Sequence, residues 1–97
     1  MPKGYWITLY HSVSDPAKLA EYAKLAGPAI QAFGGRFLAR GNPVRTYESG
    51  LSQRSIVIEF ESVDRAIAAY ESPGYQAAYQ VLKGHAARDV RFVEGMD

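Results

Sequence analysis

Strand-like and helix-like apolar periodicities alternate along this chain, and their order leaves few folds open. Residues 5–11, YWITLYH, are rich in aromatic and β-branched types and lie between Gly4 and Ser12, as a strand would. Leu19, Tyr22, Ala23, Ala26, Ile30 and Phe33 then recur at helical spacing. Asp15 is a good N-cap for that helix, and Pro16 suits its first position. Gly34-Gly35 stops it. Pro28 lies inside it and is expected to kink it or split it after Ala26, because proline has no N–H to donate. RFLAR (36–40) and VRTYE (44–48) read as one bent strand around a break at GNP, since Asn-Pro is a poor two-residue hairpin loop. RSIVIEF (54–60) is a strand with an unbroken apolar run from Ile56 to Ile58. Ser62 caps a second helix whose stripe is Val63, Ala66, Ile67 and Tyr70, with Asp64 in its positive first turn. Ser72-Pro73-Gly74 breaks that helix and starts a short one, with Tyr75, Ala78, Tyr79 and Leu82 on its apolar side. RDVRFVE (88–94) is the last strand.

The order is β-α-β-β-α-β. A strand, crossover helix and strand form a right-handed unit. Two such halves make a four-stranded antiparallel sheet with both helices on one face, an α+β, ferredoxin-like arrangement. No linker or internal repeat divides the 97 residues, so residues 1–97 are expected to form one domain. A chain of this length has a marginal core, and oligomerisation is one way to bury more surface.

Alternation along the strands suggests which side the helices cover. The aliphatic sets, Ile7 and Leu9 with Ile56, Ile58 and Phe60, are expected beneath the helices. The bare face would then hold Trp6, Thr8, Tyr10, Val57 and Glu59. So large an aromatic patch is seldom left wet in a monomer. Two copies meeting through their sheets would cover it and enclose a cavity.

Charge and composition exclude some functions. Eleven basic and ten acidic residues give a net charge of +1, and the signs alternate along the chain, which is poor support for nucleic-acid binding. There is no cysteine, and the two histidines, His11 and His85, have no zinc-like spacing, so no metal site and no cofactor is expected. The N-terminal stretch has no apolar run long enough for a signal peptide or a spanning helix, so no membrane role is expected and a cytoplasmic location is the default.

The pieces GYWI, FGGRFLARGN, Glu48-x-Gly50, RSIVIEFESVDRAIAAYESPGYQAAY and FVEG together resemble the family catalogued as domain of unknown function 1330, over nearly the whole chain. That resemblance implies a dimeric α/β barrel, in which ferredoxin-like subunits pair through their sheets. The wider superfamily includes cofactor-free monooxygenases, muconolactone isomerase, haem-handling enzymes and stress-responsive proteins. The resemblance transfers no catalytic residue.

The candidate site residues come from the expected cavity face. Glu59 on a buried strand needs a partner, and Arg40 or Arg54 could supply it. The pair reads either as an anion- or carbonyl-binding pocket with Glu59 as general base, or as a structural ion pair at the dimer seam. Arg40 and Glu48 flank the GNP break and are candidates to face the cleft, whereas Arg36 and Arg45 are expected to face solvent on an edge strand. His11 could move protons at the cavity mouth or simply end its strand. Trp6 and Tyr10 could stack on a flat ligand or pack as core. Two functions follow. One is a small-molecule enzyme, a metal-free isomerase or cofactor-independent oxygenase, with Glu59, His11 and Tyr10 handling protons and Arg40 holding an anionic oxygen. The other is a non-catalytic ligand-binding or stress-related homodimer.

Overall fold

The structure, a computed structural model, describes residues 2–96. Its elements are β1 (Gly4–Val13), α1 (Pro16–Gln31), β2 (Arg36–Gly41), β3 (Ser55–Phe60), α2 (Val63–Glu71), α3 (Pro73–Leu82) and β4 (Ala86–Glu94). The strands form one antiparallel sheet in the order β2-β3-β1-β4, the ferredoxin-like topology. Among the described residues no helix is long and apolar enough to cross a membrane.

The expected helix caps are present. The Asp15 side chain accepts from the amides of Ala17 and Lys18, and Ser62 accepts from that of Arg65. Buried Ser72 serves two helices: its hydroxyl donates to the Ala69 carbonyl that ends α2 and accepts from the Tyr75 amide that starts α3. Pro28 neither splits nor ends α1, which runs through it to Gln31. Proline loses only its own N–H, and here its ring lies exposed. Residues 44–48 are not a strand. They belong to a long connection between β2 and β3 in which Val44 and Tyr47 lie out in solvent, so no neighbouring strand rewards an extended backbone.

The expected assignment of β1's faces is reversed. In the β1–β3 ladder Trp6 stands opposite Ile58 and Thr8 opposite Ile56, and opposed residues share a face. Ile56, Ile58 and Phe60 do lie beneath the helices, so Trp6, Thr8 and Tyr10 lie there with them, all buried. Val57 and Glu59 do turn to the open face, where they join Tyr5, Ile7, Leu9 and Val93. The cause is volume. The helices bring Ala66, Ala69 and Ala78 to the core, and small residues there leave room that large strand side chains fill. The Trp6 ring packs against Tyr75 at 4.8 Å, Phe92 at 5.4 Å, Tyr70 at 5.5 Å and Phe60 at 6.3 Å.

The helices do not sit equally close to the sheet. α2 packs on β1, β3 and β4, whereas α1 makes its main contact with α3 and stands off from the strands. Gly4 lets the N-terminus of α2 approach, because a Cβ there would run into the backbone of Ser62 and Val63. Gly4→Ala is therefore expected to destabilise the fold by about 2–3 kcal/mol, the upper part of the overpacking range, since backbone cannot rotate away. Urea unfolding measures it. Gly74→Ala, whose new methyl would meet only Ala29 at an ordinary 3.5 Å, is the comparison and is expected to lose nothing.

Candidate functional site beneath the first helix

Arg88 shares a strand face with Val90 and Phe92, which pack on the core, so its side chain enters the protein. Its guanidinium donates to the Tyr22 hydroxyl and to the Tyr75 hydroxyl, each at 3.1 Å, and those two hydroxyls are 2.8 Å apart. It also lies over the rings of Tyr22 at 5.3 Å, Tyr79 at 5.6 Å and Tyr10 at 5.7 Å. No carboxylate pairs with it among the described residues. Burial works against its charge, but the Tyr22 and Tyr75 hydroxyls outweigh that, and Arg88 stays protonated. Burial, helped by the neighbouring Tyr22, pushes the Tyr10 and Tyr75 phenols up, with Arg88 offsetting part of it. Arg88, Tyr10 and Tyr75 therefore keep their protons at neutral pH.

The gap under α1 is a narrow, partly open cleft with about 30 Å³ of free space. Tyr22, Leu19 and Ala23 of α1 form its roof; Trp6, Thr8 and Tyr10 of β1 form its floor. Arg88 closes one side, and Phe37 and Arg40 of β2 with Arg54 form the other. The wall contains three arginines and no Asp, Glu or His. The Tyr10 hydroxyl is buried and has no hydrogen-bond partner among the described residues. Arg88 is near enough to act on it through its charge and through a loose hydrogen-bonding approach, but its well-directed N–H bonds go to the other two tyrosines. A second donor follows from counting protons. Tyr22 and Tyr75 both accept from Arg88, so only one can donate to the other. Tyr75 is fully buried and outside the cleft wall. Tyr75 donating to Tyr22, which frees the Tyr22 proton for the cleft, is the arrangement that strands no proton in the apolar interior.

A second hollow of about 540 Å³ lies between the residue 42–54 connection and the strand ends, with His11, Arg45 and Asp89 in its wall. Asp89 is held there by Arg91 through bonds of 2.7 and 2.9 Å.

The structure brings together four of the residues expected from sequence. Trp6, Tyr10, Arg40 and Arg54 all line the cleft under α1. The Trp6 indole is already committed, donating to the Thr8 hydroxyl at 2.9 Å. Arg40 lies over the Phe37 ring at 4.8 Å. Glu59 is on the other side of the sheet, where it accepts from Arg36 at 3.1 Å and from the Tyr5 hydroxyl at 3.3 Å. Its partner is thus Arg36, not Arg40 or Arg54, and it lines neither hollow. His11 lines only the second hollow. Glu48, at φ 54° in the exposed connection, lines neither. His85 serves through its carbonyl, which accepts from the amide and hydroxyl of Ser14. Sequence reasoning missed Arg88 and treated Tyr22 and Tyr75 as packing alone. The alternation Arg88, Val90, Phe92 was the signal available, because two apolar residues facing inward take the arginine with them.

A family model described as a domain of unknown function (DUF1330) matches residues 3–96. No curated protein matches the chain. Among solved structures, a protein of unknown function from Rhodopseudomonas palustris is similar over 99% of this chain and 84% of its own, with 13% identity and a TM-score of 0.75. A candidate antibiotic biosynthesis monooxygenase from Caulobacter crescentus is similar over 99% of this chain and 91% of its own, at 17% identity and a TM-score of 0.60. A dimeric protein of unknown function with a ferredoxin-like fold, from Bacteroides fragilis, is similar over 95% of both chains, at 14% identity and a TM-score of 0.60. At these identities the likeness establishes the fold.

Proposed function

This chain belongs to the family described as domain of unknown function DUF1330, and from that starting point we propose that it holds a small organic molecule in the cleft beneath α1, as one half of a homodimer joined through the open sheet faces. The observation that carries the ligand is the Tyr10 hydroxyl. An unpartnered buried hydroxyl costs about 1–3 kcal/mol, and Tyr10 stands beside arginines with no carboxylate or imidazole in the same wall. A ligand oxygen would satisfy it. The site so read suits binding and the stabilisation of negative charge on oxygen. It offers no ordinary side-chain base, so the geometry favours a binding role over the relay of Glu59, His11 and Tyr10. The fold likeness to a candidate monooxygenase favours a second reading, in which the same arginines hold an enolate oxygen of a substrate.

The dimer rests on the other side of the sheet. Ile7, Val57, Leu9 and Val93 form an apolar strip that no helix covers, bordered by Glu59 and the Asp89–Arg91 pair, and similar folds are described as dimeric.

The ligand site is tested by screening small oxygen-bearing molecules against the labelled protein by NMR and titrating the hits. Perturbed amides are expected along Trp6–Tyr10, on α1 and at Arg88. Arg40→Ala is expected to weaken binding about fivefold, as loss of a partly exposed charge–oxygen contact would. Glu59→Gln is expected to leave it unchanged. If Glu59→Gln abolishes binding and Arg40→Ala does not, the open face is the ligand site and this reading is wrong.

A further inference from the structure

Resting on the ligand reading above, we infer that the molecule held beneath α1 is an organic carboxylate. Its head would lie between Arg88 and Tyr10, and its apolar body against Leu19, Ala23 and Phe37 toward the mouth. Three features of the cleft point there. The first is charge. Arg88 enters the core without a carboxylate partner, and Arg40 and Arg54 add two more positive charges to a wall that has no acid. Arg88 is half-buried and meets only neutral groups, the tyrosine hydroxyls and rings, so an anionic ligand adds the one opposite charge its surroundings lack.

The second feature is size. The free space of the whole cleft is about 30 Å³, room for about two oxygen-sized groups, so the head fits inside and the body lies toward the open mouth. A planar carboxylate brings two oxygens on one carbon. A tetrahedral phosphoryl group brings three and needs a wider seat. The third is the kind of donor. Arg88 has five N–H groups, and the two bonds to Tyr22 and Tyr75 leave others free. With the Tyr10 and Tyr22 hydroxyls these can meet the lone pairs of one carboxylate. Phosphoryl groups are more often cradled by backbone amides at a helix N-terminus or glycine loop. The wall here is helix flank and strand.

The test compares three sets of probes by NMR titration. Benzoate and hexanoate carry the charge, benzyl alcohol and hexanol are their neutral counterparts, and inorganic phosphate is the third arm. The carboxylates are expected to bind at least about tenfold tighter than the alcohols and than phosphate, with shifts at Tyr10 and Arg88. Tyr10→Phe is the decisive variant, because it removes the hydroxyl alone. Unliganded, it is expected to melt no lower than the parent, since the hydroxyl has no partner to lose. Its carboxylate affinity is expected to fall about tenfold. Arg54→Gln gives a second reading from a residue not tied into the tyrosine network and is expected to weaken carboxylates but not alcohols. Alcohols that bind as well as carboxylates, phosphate that binds better, or Tyr10→Phe that binds carboxylates unchanged would each overturn the carboxylate assignment and leave the ligand site standing. Cleft resonances that respond to no probe in any arm would overturn both.

Discussion

Trp6→Ala is expected to cost about 3–5 kcal/mol, the usual loss for emptying a large aromatic site in a core. Trp6 is 1% exposed, and four aromatic rings surround it from β3, α2, α3 and β4. Little of that wall can collapse into the hole, because the rings are held by both sheet and helices. The total stability of a small domain is about 5–15 kcal/mol, so the variant is expected to sit near the edge of folding. Trp6→Phe keeps most of the volume and is expected to lose less than half as much. Urea unfolding of both separates the two possible faces of β1. A loss below about 1 kcal/mol for the alanine variant is what an open-face position would give, and it would contradict the buried placement.

Ile7→Lys is expected to separate the proposed homodimer into subunits at micromolar concentration while leaving each subunit folded. Ile7 stands opposite Val57 on the open face and is only half-buried within one chain, so a lysine there can reach water when the subunit is alone. In a two-fold interface the substitution occurs twice, and each copy brings an ammonium beside Val57 and opposite the like-charged Arg91. The expected weakening is at least about a hundredfold, roughly 3 kcal/mol. Sedimentation velocity reads it directly. Leu25→Lys, on the exposed side of α1, is the comparison and is expected to leave association intact. A parent protein that already sediments as a single subunit with Ile7, Val57 and Val93 wet would overturn the dimer.

The parts of this fold that were legible in the sequence are those written in local chemistry. Asp15, Ser62 and Ser72 announce helix starts because one side chain satisfies amides two or three residues on. The face of β1 is different. Both of its alternating sets are apolar, Trp6 and Tyr10 on one side and Ile7 and Leu9 on the other, so periodicity has two solutions. Only the pairing with β3, some fifty residues away in sequence, chooses between them. The same non-local step hid the Arg88 cluster, whose members come from α1, α3 and β4. Glu59 was rightly given to the open face but wrongly partnered, with Arg40 or Arg54 in place of Arg36. Arg40 and Arg54 were found for a reason only partly right. They do face a cleft, but one roofed by a helix within the chain.

The pairing of β2 with β3 slips by one residue between Phe37 and Ala39. Phe37 opposes Ile58 and Arg40 opposes Ile56, so two residues three apart look the same way. In an unbroken strand, odd and even positions never trade sides. Here Leu38 changes the parity of everything after it, and a cation that strict counting would send to the far surface arrives under α1. Strict alternation through Leu38 would have sent Ala39 there instead. The position of this charge is thus written in the bulge as much as in the letters, and drawing Leu38 into the regular ladder would carry the charge across the sheet, whereas deleting Leu38 would keep Arg40 opposite Ile56.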